Sequence, residues 1–250
     1  MTPFEAVVIV AAGLAAGAIN TIVGSGSLIT FPTLLAFGYP PVVANVSNTL
    51  GLTPGSFSGV VGYRRELVGQ RDRIIRYGAA GAAGGLTGAL ILLAAPESAF
   101  ETVVPFLILL ACALMAVQPR LARFLAARRG MEAGHPTGLL VGVFLTGIYG
   151  GYFGAAQGVI LMALLAIFLT DDLQRLNGLK NWIAGLVNGV AAILFVLVAP
   201  VDYGVAALLA IGSVVGGQVG ATVGRRLPAP VLRATVVTVG LIVAVRMLIG

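Results

Sequence analysis

No charged residue occurs between Thr102 and Val117 or between Tyr203 and Val223, and only Arg76 interrupts the stretch from Ile74 to Ala95. About 20 consecutive apolar residues are enough to cross a bilayer as a helix. Across the whole chain 58% of residues are hydrophobic and 10% are charged, which is the composition of an integral membrane protein. The expected fold is therefore an all-α polytopic membrane protein, with one transmembrane domain over 1–250 and no separate soluble domain.

The apolar runs extend over Phe4 to Val23, Leu28 to Phe37, Pro40 to Tyr63, Ile74 to Ala95 and Thr102 to Val117, then Gly138 to Phe153, Val159 to Leu169, Leu173 to Ala199, Tyr203 to Val223 and Val231 to Ile249. The second and seventh are too short to span comfortably, and each follows a Gly-rich break. Five runs, a basic connection at about 119–137 and five more runs suggest a duplication, with repeats at about 1–118 and 138–250. Gly84, Gly85, Gly88, Ala89 and Pro96 recur in the same spacing as Gly216, Gly217, Gly220, Ala221 and Pro228. Gly17, Gly24, Leu34, Leu35 and Ala36 likewise fall on Gly147, Gly154, Leu164, Leu165 and Ala166. Glu5 precedes the first run's core with no Lys or Arg before it, so this run reads as a mature segment and not as a secretory leader. Cys112 lies inside an apolar run and reads as a core residue.

Lys and Arg favour cytoplasmic connections. Arg64, Arg65, Arg71, Arg73 and Arg76 lie around the third connection, Arg120, Arg123, Arg128 and Arg129 after the fifth run, and Arg225, Arg226 and Arg233 before the tenth. Glu97, Glu101 and Asp202 mark connections on the other side. In the topology that fits, each half opens with a run that enters and a short one that returns, followed by three crossings. An odd count per half makes the repeats inverted, an arrangement that many secondary transporters build around a midplane site. Both termini are expected outside the cytoplasm, and the net charge of +6 is read as orientation and not as nucleic-acid binding.

Backbone without helical hydrogen bonds is tolerated at membrane depth only against protein or a water-filled cavity. Gly24-Ser25-Gly26-Ser27 and Gly154-Ala155-Ala156-Gln157-Gly158 are therefore expected to be buried, broken or re-entrant segments. Each would leave a helix N-terminus with free N–H groups and partial positive charge, and two such termini make an anion site. The alternative is that the glycines serve close helix packing.

These residues carry a resemblance. "NTIVGSGSLITFPTLLAFG" and "ANVSNTLGLTPGSFSGVVGYRRE", followed by "GGYFGAAQGVILMALLAIF" and "RLNGLKNWIAGLVNG", are similar to the sulfite exporter TauE/SafE family of membrane permeases across nearly the whole chain. The resemblance implies a polytopic permease of a bacterial-type cytoplasmic (inner) membrane that exports a small sulfur-containing anion, sulfite or an organosulfonate. Family members often carry a longer glycine run at the break, where this chain has serines in one half and alanines with a glutamine in the other.

Helix arithmetic places further polar residues. Pro40 or Pro41 suits the first turn of the third run, and Asp172 suits the cap before Leu173. Asn48 and Asn181 each lie eight residues into their runs, roughly 12 Å deep. Ser47 beside Asn48 and Lys180 beside Asn181 complete an approximate pair. The candidate substrate-binding set is Ser25, Gly26, Ser27, Ser47, Asn48, Gln157, Lys180 and Asn181, with Gly24, Gly154 and Gly158 as structural breaks; Asn20 and Thr21 are weaker candidates. Lys180 either faces this site or snorkels to the cytoplasmic interface, and the asparagines either meet substrate or bond to neighbouring helices.

Catalysis is not expected. His135 is the only histidine and has no second histidine with which to hold a metal, and Ser25 has no basic partner for nucleophilic chemistry. No cofactor or metal is expected; the partners are a small anionic substrate and membrane lipid, with homo-oligomerisation left open. A cation-coupled transporter of another small solute and a nontransporting membrane scaffold are the alternatives. The topology has a direct test. With Cys112 replaced, single cysteines at Glu97 and Asp202 should react with an impermeant thiol reagent in intact cells and one at Arg123 should not; labelling at position 123 alone would overturn the orientation.

Overall fold

The computed structural model describes residues 1–127, 136–223 and 229–249. His135, Arg128, Arg129, Arg225 and Arg226, which enter the reading of the sequence, lie outside the described residues, as do the side chains of Arg123 and Arg233. The described residues form ten helices and no strand: α1 (Pro3–Ile22), α2 (Ser27–Ala36), α3 (Pro41–Gly62), α4 (Arg71–Ala94), α5 (Glu97–Ala127), α6 (Pro136–Tyr152), α7 (Gln157–Phe168), α8 (Leu173–Val198), α9 (Tyr203–Val223) and α10 (Ala229–Ile249).

Local chemistry sets many of the boundaries. Thr2 and Glu5 form a reciprocal capping box before Pro3, Pro41 starts α3 behind Pro40, and the Asp172 carboxylate accepts from the Gln174 N–H at 2.8 Å. Helix α5 extends beyond the expected apolar run at both ends and tolerates Pro105 and Pro119. Helices α2 and α7 are half-length, with 10 and 12 residues, or about 15 and 18 Å. Helices α1, α4, α5, α8 and α9 are long and apolar enough to cross a membrane. Helix α3 is long enough too, but its polar row of Asn45, Ser47, Asn48, Thr49 and Ser56 is buried. Large apolar residues such as Phe106, Ile193, Leu197 and Ile211 stand exposed instead, a distribution suited to lipid.

Glycines determine how the helices meet. Gly13 packs on Leu209 and Gly17 on Ser213, while Gly55 packs on Ser213 and Gly62 on Ala221, so α1, α3 and α9 run parallel. Gly84 meets Phe144, Gly88 meets Ile148 and Gly81 meets Ile183, so α4, α6 and α8 also run parallel to one another. Gly178 faces Tyr63 whereas Gly189 faces Thr53, so α3 and α8 are antiparallel. Helices α1, α3 and α9 thus point one way and α4, α6 and α8 the other. A Cβ on Gly88 would lie 2.0 Å from the Ile148 carbonyl oxygen, and one on Gly216 would lie 2.0 Å from that of Leu14. Small residues that let backbones touch are a main source of association where lipid is as apolar as the helix surface.

Aromatic packing ties α2 and α5 to the end of α6. Phe31 of α2 meets Phe153 edge-on at 5.2 Å, and Phe100 of α5 reaches Phe153 at 6.2 Å and Tyr152 at 5.6 Å. Cys112 is buried beside Gly240, the core position expected for it.

At the end of the α4–α8 contact, Asp171 joins the halves. Arg73 Nη1 lies 2.6 Å and Arg175 Nε 3.0 Å from its carboxylate. Gln70 donates to the Arg175 carbonyl at 3.2 Å and Arg175 donates to that of Val68 at 3.2 Å. Burial opposes ionisation of Asp171, but hydrogen bonds from Arg73, the Asp172 N–H and Arg175 outweigh it and hold the carboxyl below its ordinary range.

Two outcomes follow from these contacts. Gly88→Leu and Gly216→Leu should each lower the melting temperature of the detergent-solubilised protein, since overpacking costs about 1–3 kcal/mol or more. Gly189→Ala, whose Cβ would have 3.5 Å to its nearest neighbour, should melt close to the parent. A carboxyl with a depressed folded-state pKa contributes stability that is present above its unfolded value and lost as pH falls through the folded one. Asp171→Asn should therefore melt below the parent at neutral pH, and the gap should close on acidification through the carboxylate range; a gap independent of pH would show that the ion pairs contribute nothing.

Candidate functional site

The chain leaves helical geometry twice at depth. After α1, Gly24 takes φ +89°, and after α6, Gly154 takes φ +79° and Ala156 φ +59°, left-handed conformations for which glycine carries no steric cost. The two breaks dock on each other: the Gly158 N–H donates to the Gly24 carbonyl at 3.0 Å. Their backbones are so close that a Cβ on Gly24 would lie 2.3 Å from the Gly158 Cα.

This docking alters one expectation. The N–H groups at the starts of α2 and α7 do not all remain free for an anion, because the breaks use them. Gly158 is engaged with Gly24, Gln157 N–H donates to the Gly154 carbonyl at 3.2 Å, and Gly26 N–H donates to Asn20 Oδ1 at 2.6 Å. Side chains supply further donors.

They surround a polar cavity of about 20 Å³ beside the docked breaks, room for about one water. Ser27, Gly24, Gly154 and Gln157 contribute from the breaks, and Lys180 and Asn181 from α8. Asn20 and Thr21 close it from the end of α1, while Ser56, Ala184 and Asn188 form the rest of the wall. Lys180 is 1% exposed, so it does not snorkel. Its Nζ donates to the carbonyls of Asn20 at 3.2 Å and Thr21 at 3.3 Å. Asn177 and Asn181 also donate to the Thr21 carbonyl, at 3.1 and 3.2 Å. Three α8 side chains thereby cap the interrupted end of α1, where carbonyls lack helical partners and the dipole favours a cation. Among the lining residues there is no carboxylate.

The other predicted residues lie behind or away from this cavity. Asn48 donates to Ser27 Oγ at 3.3 Å and accepts from the Thr30 hydroxyl, so it stands behind the cavity wall. Ser25 is buried with its hydroxyl 3.3 Å from Met115 Sδ. Gly26 faces α1, where a Cβ would lie 2.3 Å from the Ala16 carbonyl oxygen. Ser47 accepts from the Asp202 N–H at 2.8 Å, at the α8–α9 connection.

The pairing read from helix depth is one residue out of step. Asn45 Nδ2 caps α6 through the Tyr152 carbonyl at 2.9 Å, as Asn177 caps α1. In this register, which is also that of Gly84 and Gly216, Asn48 matches Lys180, Thr49 matches Asn181, and Ser56 matches Asn188. Ser56 and Asn188 were missed by the sequence reading. Their place two turns beyond the Asn48 and Lys180 positions, on the same helix faces, is the signal that could have found them.

Gln157 fills space that a missing side chain leaves. A Cβ on Gly150 would fall 2.4–2.5 Å from its carboxamide, and Gly150 occupies the place that Asn20 holds in the first half. Gln157 is 3% exposed, and its Nε2 has no hydrogen-bond partner among the described residues.

Comparison with known proteins identifies the family. The model of the family described as "Sulfite exporter TauE/SafE" matches residues 9–247. The probable membrane transporter protein YfcA of Escherichia coli K12 is 25% identical over 234 residues, covering 93% of this chain and 86% of its own. The probable membrane transporter protein ORF9 of a Sinorhizobium species is 26% identical, covering 95% and 90%. A probable membrane transporter protein of Haemophilus influenzae is 30% identical, covering 88% and 87%. No solved structure matches. With its apolar helices and its match to the family model over nearly the whole length, the chain is a membrane transporter that belongs to the sulfite exporter TauE/SafE family.

Proposed function

We propose that the protein is a secondary transporter or facilitator that exports a small sulfur-containing anion, sulfite or an organosulfonate, across the cytoplasmic membrane past the docked breaks, where the cavity with room for about one water widens to admit it. The carrying observation is Lys180: a fully buried lysine at the cavity wall, held by carbonyl oxygens, with no carboxylate among the lining residues. The family description supports the substrate class. The opposed directions of counterpart helices support a reading as inverted repeats that alternate access to a central site.

In this reading Lys180, Ser27, Gln157 and Asn181 bind the anion, Asn48 orients Ser27, and the docked glycines hold the walls in place. An inside-negative potential favours exit of each negative charge by about 2.3 kcal/mol per 100 mV, so export needs no further energy source. A nontransporting scaffold would leave the unpartnered Gln157 amide without a use.

Purified protein in liposomes should accelerate sulfite efflux above protein-free vesicles. Lys180→Gln should weaken sulfite affinity about ten- to a hundredfold, since a hydrogen bond to a charged partner contributes roughly 1.5–3 kcal/mol. Lys180 also caps α1, so Ser27→Ala and Gln157→Ala are the companion variants and should weaken affinity with melting temperatures close to the parent. If all three keep parental affinity, the central cavity is not the site.

A further inference from the structure

The arginines around the α3–α4 connection divide into two kinds. Arg73 and Arg175 turn inward, where Asp171 pairs with both. Arg64, Arg65, Arg71 and Arg76 stand exposed, and none of them forms an ion pair with a carboxylate among the described residues. We propose that these four arginines form a docking surface for the phosphodiester headgroup of an anionic membrane phospholipid.

Their position is the membrane surface. Helix α4 begins at Arg71 and is long and apolar enough to cross a bilayer, so its first turns lie where the chain leaves the hydrocarbon. The α4 face that carries Ile75 and Arg76 continues through Ala79, Leu86 and Leu90, all exposed and spaced along one side of the helix. Val61 and Val68 stand exposed on either side of Arg64 and Arg65. Apolar side chains reaching toward acyl chains, with guanidinium groups between them at phosphate level, match the two layers of that boundary. Even with Glu66 and Asp72 counted against them, the four arginines leave the segment net positive, complementary to an anionic headgroup.

The surface is built before any lipid arrives. In the connection the Glu66 N–H donates to the Tyr63 carbonyl at 3.1 Å, the Val68 N–H to that of Arg65 at 3.3 Å and the Gln70 N–H to that of Leu67 at 3.1 Å. Tyr63 and Gln70 are buried and anchor its two ends, and Arg175 and Gln70 tie it to α8. Little order has to be gained on binding, and a bound headgroup braces the joint between the halves.

Membrane orientation alone does not account for the choice of side chain, because lysine and arginine serve it alike. Of the 15 Lys and Arg residues, however, Lys180 alone is lysine. A guanidinium fork can hold two phosphate oxygens at once, whereas an ammonium acts as a point charge. A choline headgroup would bring its own cation against these arginines.

The test titrates the detergent-solubilised protein with phosphatidylglycerol or phosphatidylcholine of identical acyl chains, following retained lipid by native mass spectrometry together with the melting temperature. Phosphatidylglycerol should be retained about tenfold or more over phosphatidylcholine and should raise the melting temperature further, and this preference should shrink as salt is raised. One basic residue near an anionic surface contributes roughly a fivefold gain in affinity. The double variants Arg64→Gln/Arg65→Gln and Arg71→Gln/Arg76→Gln, each of which leaves two of the four arginines to orient the chain, should therefore each lower the preference about tenfold or more. Arg246→Gln, in the last turn of α10, should keep it. Equal retention of the two lipids by the parent, a preference indifferent to salt, or parental preference in both double variants would overturn the proposal. So would displacement of phosphatidylglycerol by an equal concentration of glycerol 3-phosphate, which would mark a site for a soluble phosphate ester.

Discussion

One backbone hydrogen bond organises the centre of this protein. At membrane depth a broken helix has no water to satisfy it, and an unpaired backbone group there costs several kcal/mol. Gly24 and Gly158 meet that demand by pairing with each other, N–H to carbonyl at 3.0 Å. Neither position has room for a Cβ, since each would lie within 2.4 Å of the partner's Cα. The contact fixes where α2 and α7 begin. It also leaves the last carbonyls of α1 directed at α8, which brings Lys180, Asn177 and Asn181 to one point.

Whether Lys180 is tolerable without a ligand can be judged from magnitudes. A lysine charge at a helix centre costs about 2.5–3.5 kcal/mol on insertion scales. Its two carbonyl acceptors contribute about 1.5–3 kcal/mol each as hydrogen bonds to a charged donor, and the end of the α1 dipole adds about 0.3–1 kcal/mol. The empty protein can therefore carry the charge. In the proposed mechanism a ligand would compete with the α1 carbonyls for Lys180, which favours moderate binding and ready release.

Much of this was legible because lipid imposes strict rules. Runs without charge specified the long helices, and glycine clusters too polar and too short to span marked both breaks. Pro41 and Asp172 announced the starts of α3 and α8 through cap chemistry that acts within one turn. What could not be read depends on distant contacts. Ser47 and Asn48 are neighbours in sequence, yet one meets Asp202 at the α8–α9 connection and the other stands behind Ser27, because adjacent residues on a helix point about 100° apart. Ser25 and Gly26 belong to the break without facing the cavity, since Met115 and the α1 backbone occupy their sides. The depth argument placed Asn48 and Asn181 correctly within their helices but could not resolve a one-residue shift, which only the caps on α1 and α6 reveal.

The two sequence halves differ around the breaks. In the first half Asn20 supplies a carboxamide at the end of α1 that binds the Gly26 N–H, and the following break offers only the small Ser27. In the second half Gly150 supplies no side chain, and the carboxamide comes instead from Gln157, lying in the space that Gly150 leaves open. The same functional group thus reaches nearly the same place from opposite sides of the break. One amide is committed to holding backbone, whereas the other retains a free donor. The α3 and α8 faces show the same division: Asn48 is bonded to Ser27 and Thr30, while its counterpart Lys180 brings a charge. Two identical halves would place two cations, or none, around the centre. Divergence at these matched positions leaves a single buried lysine beside the breaks, the imbalance on which the proposed anion site depends.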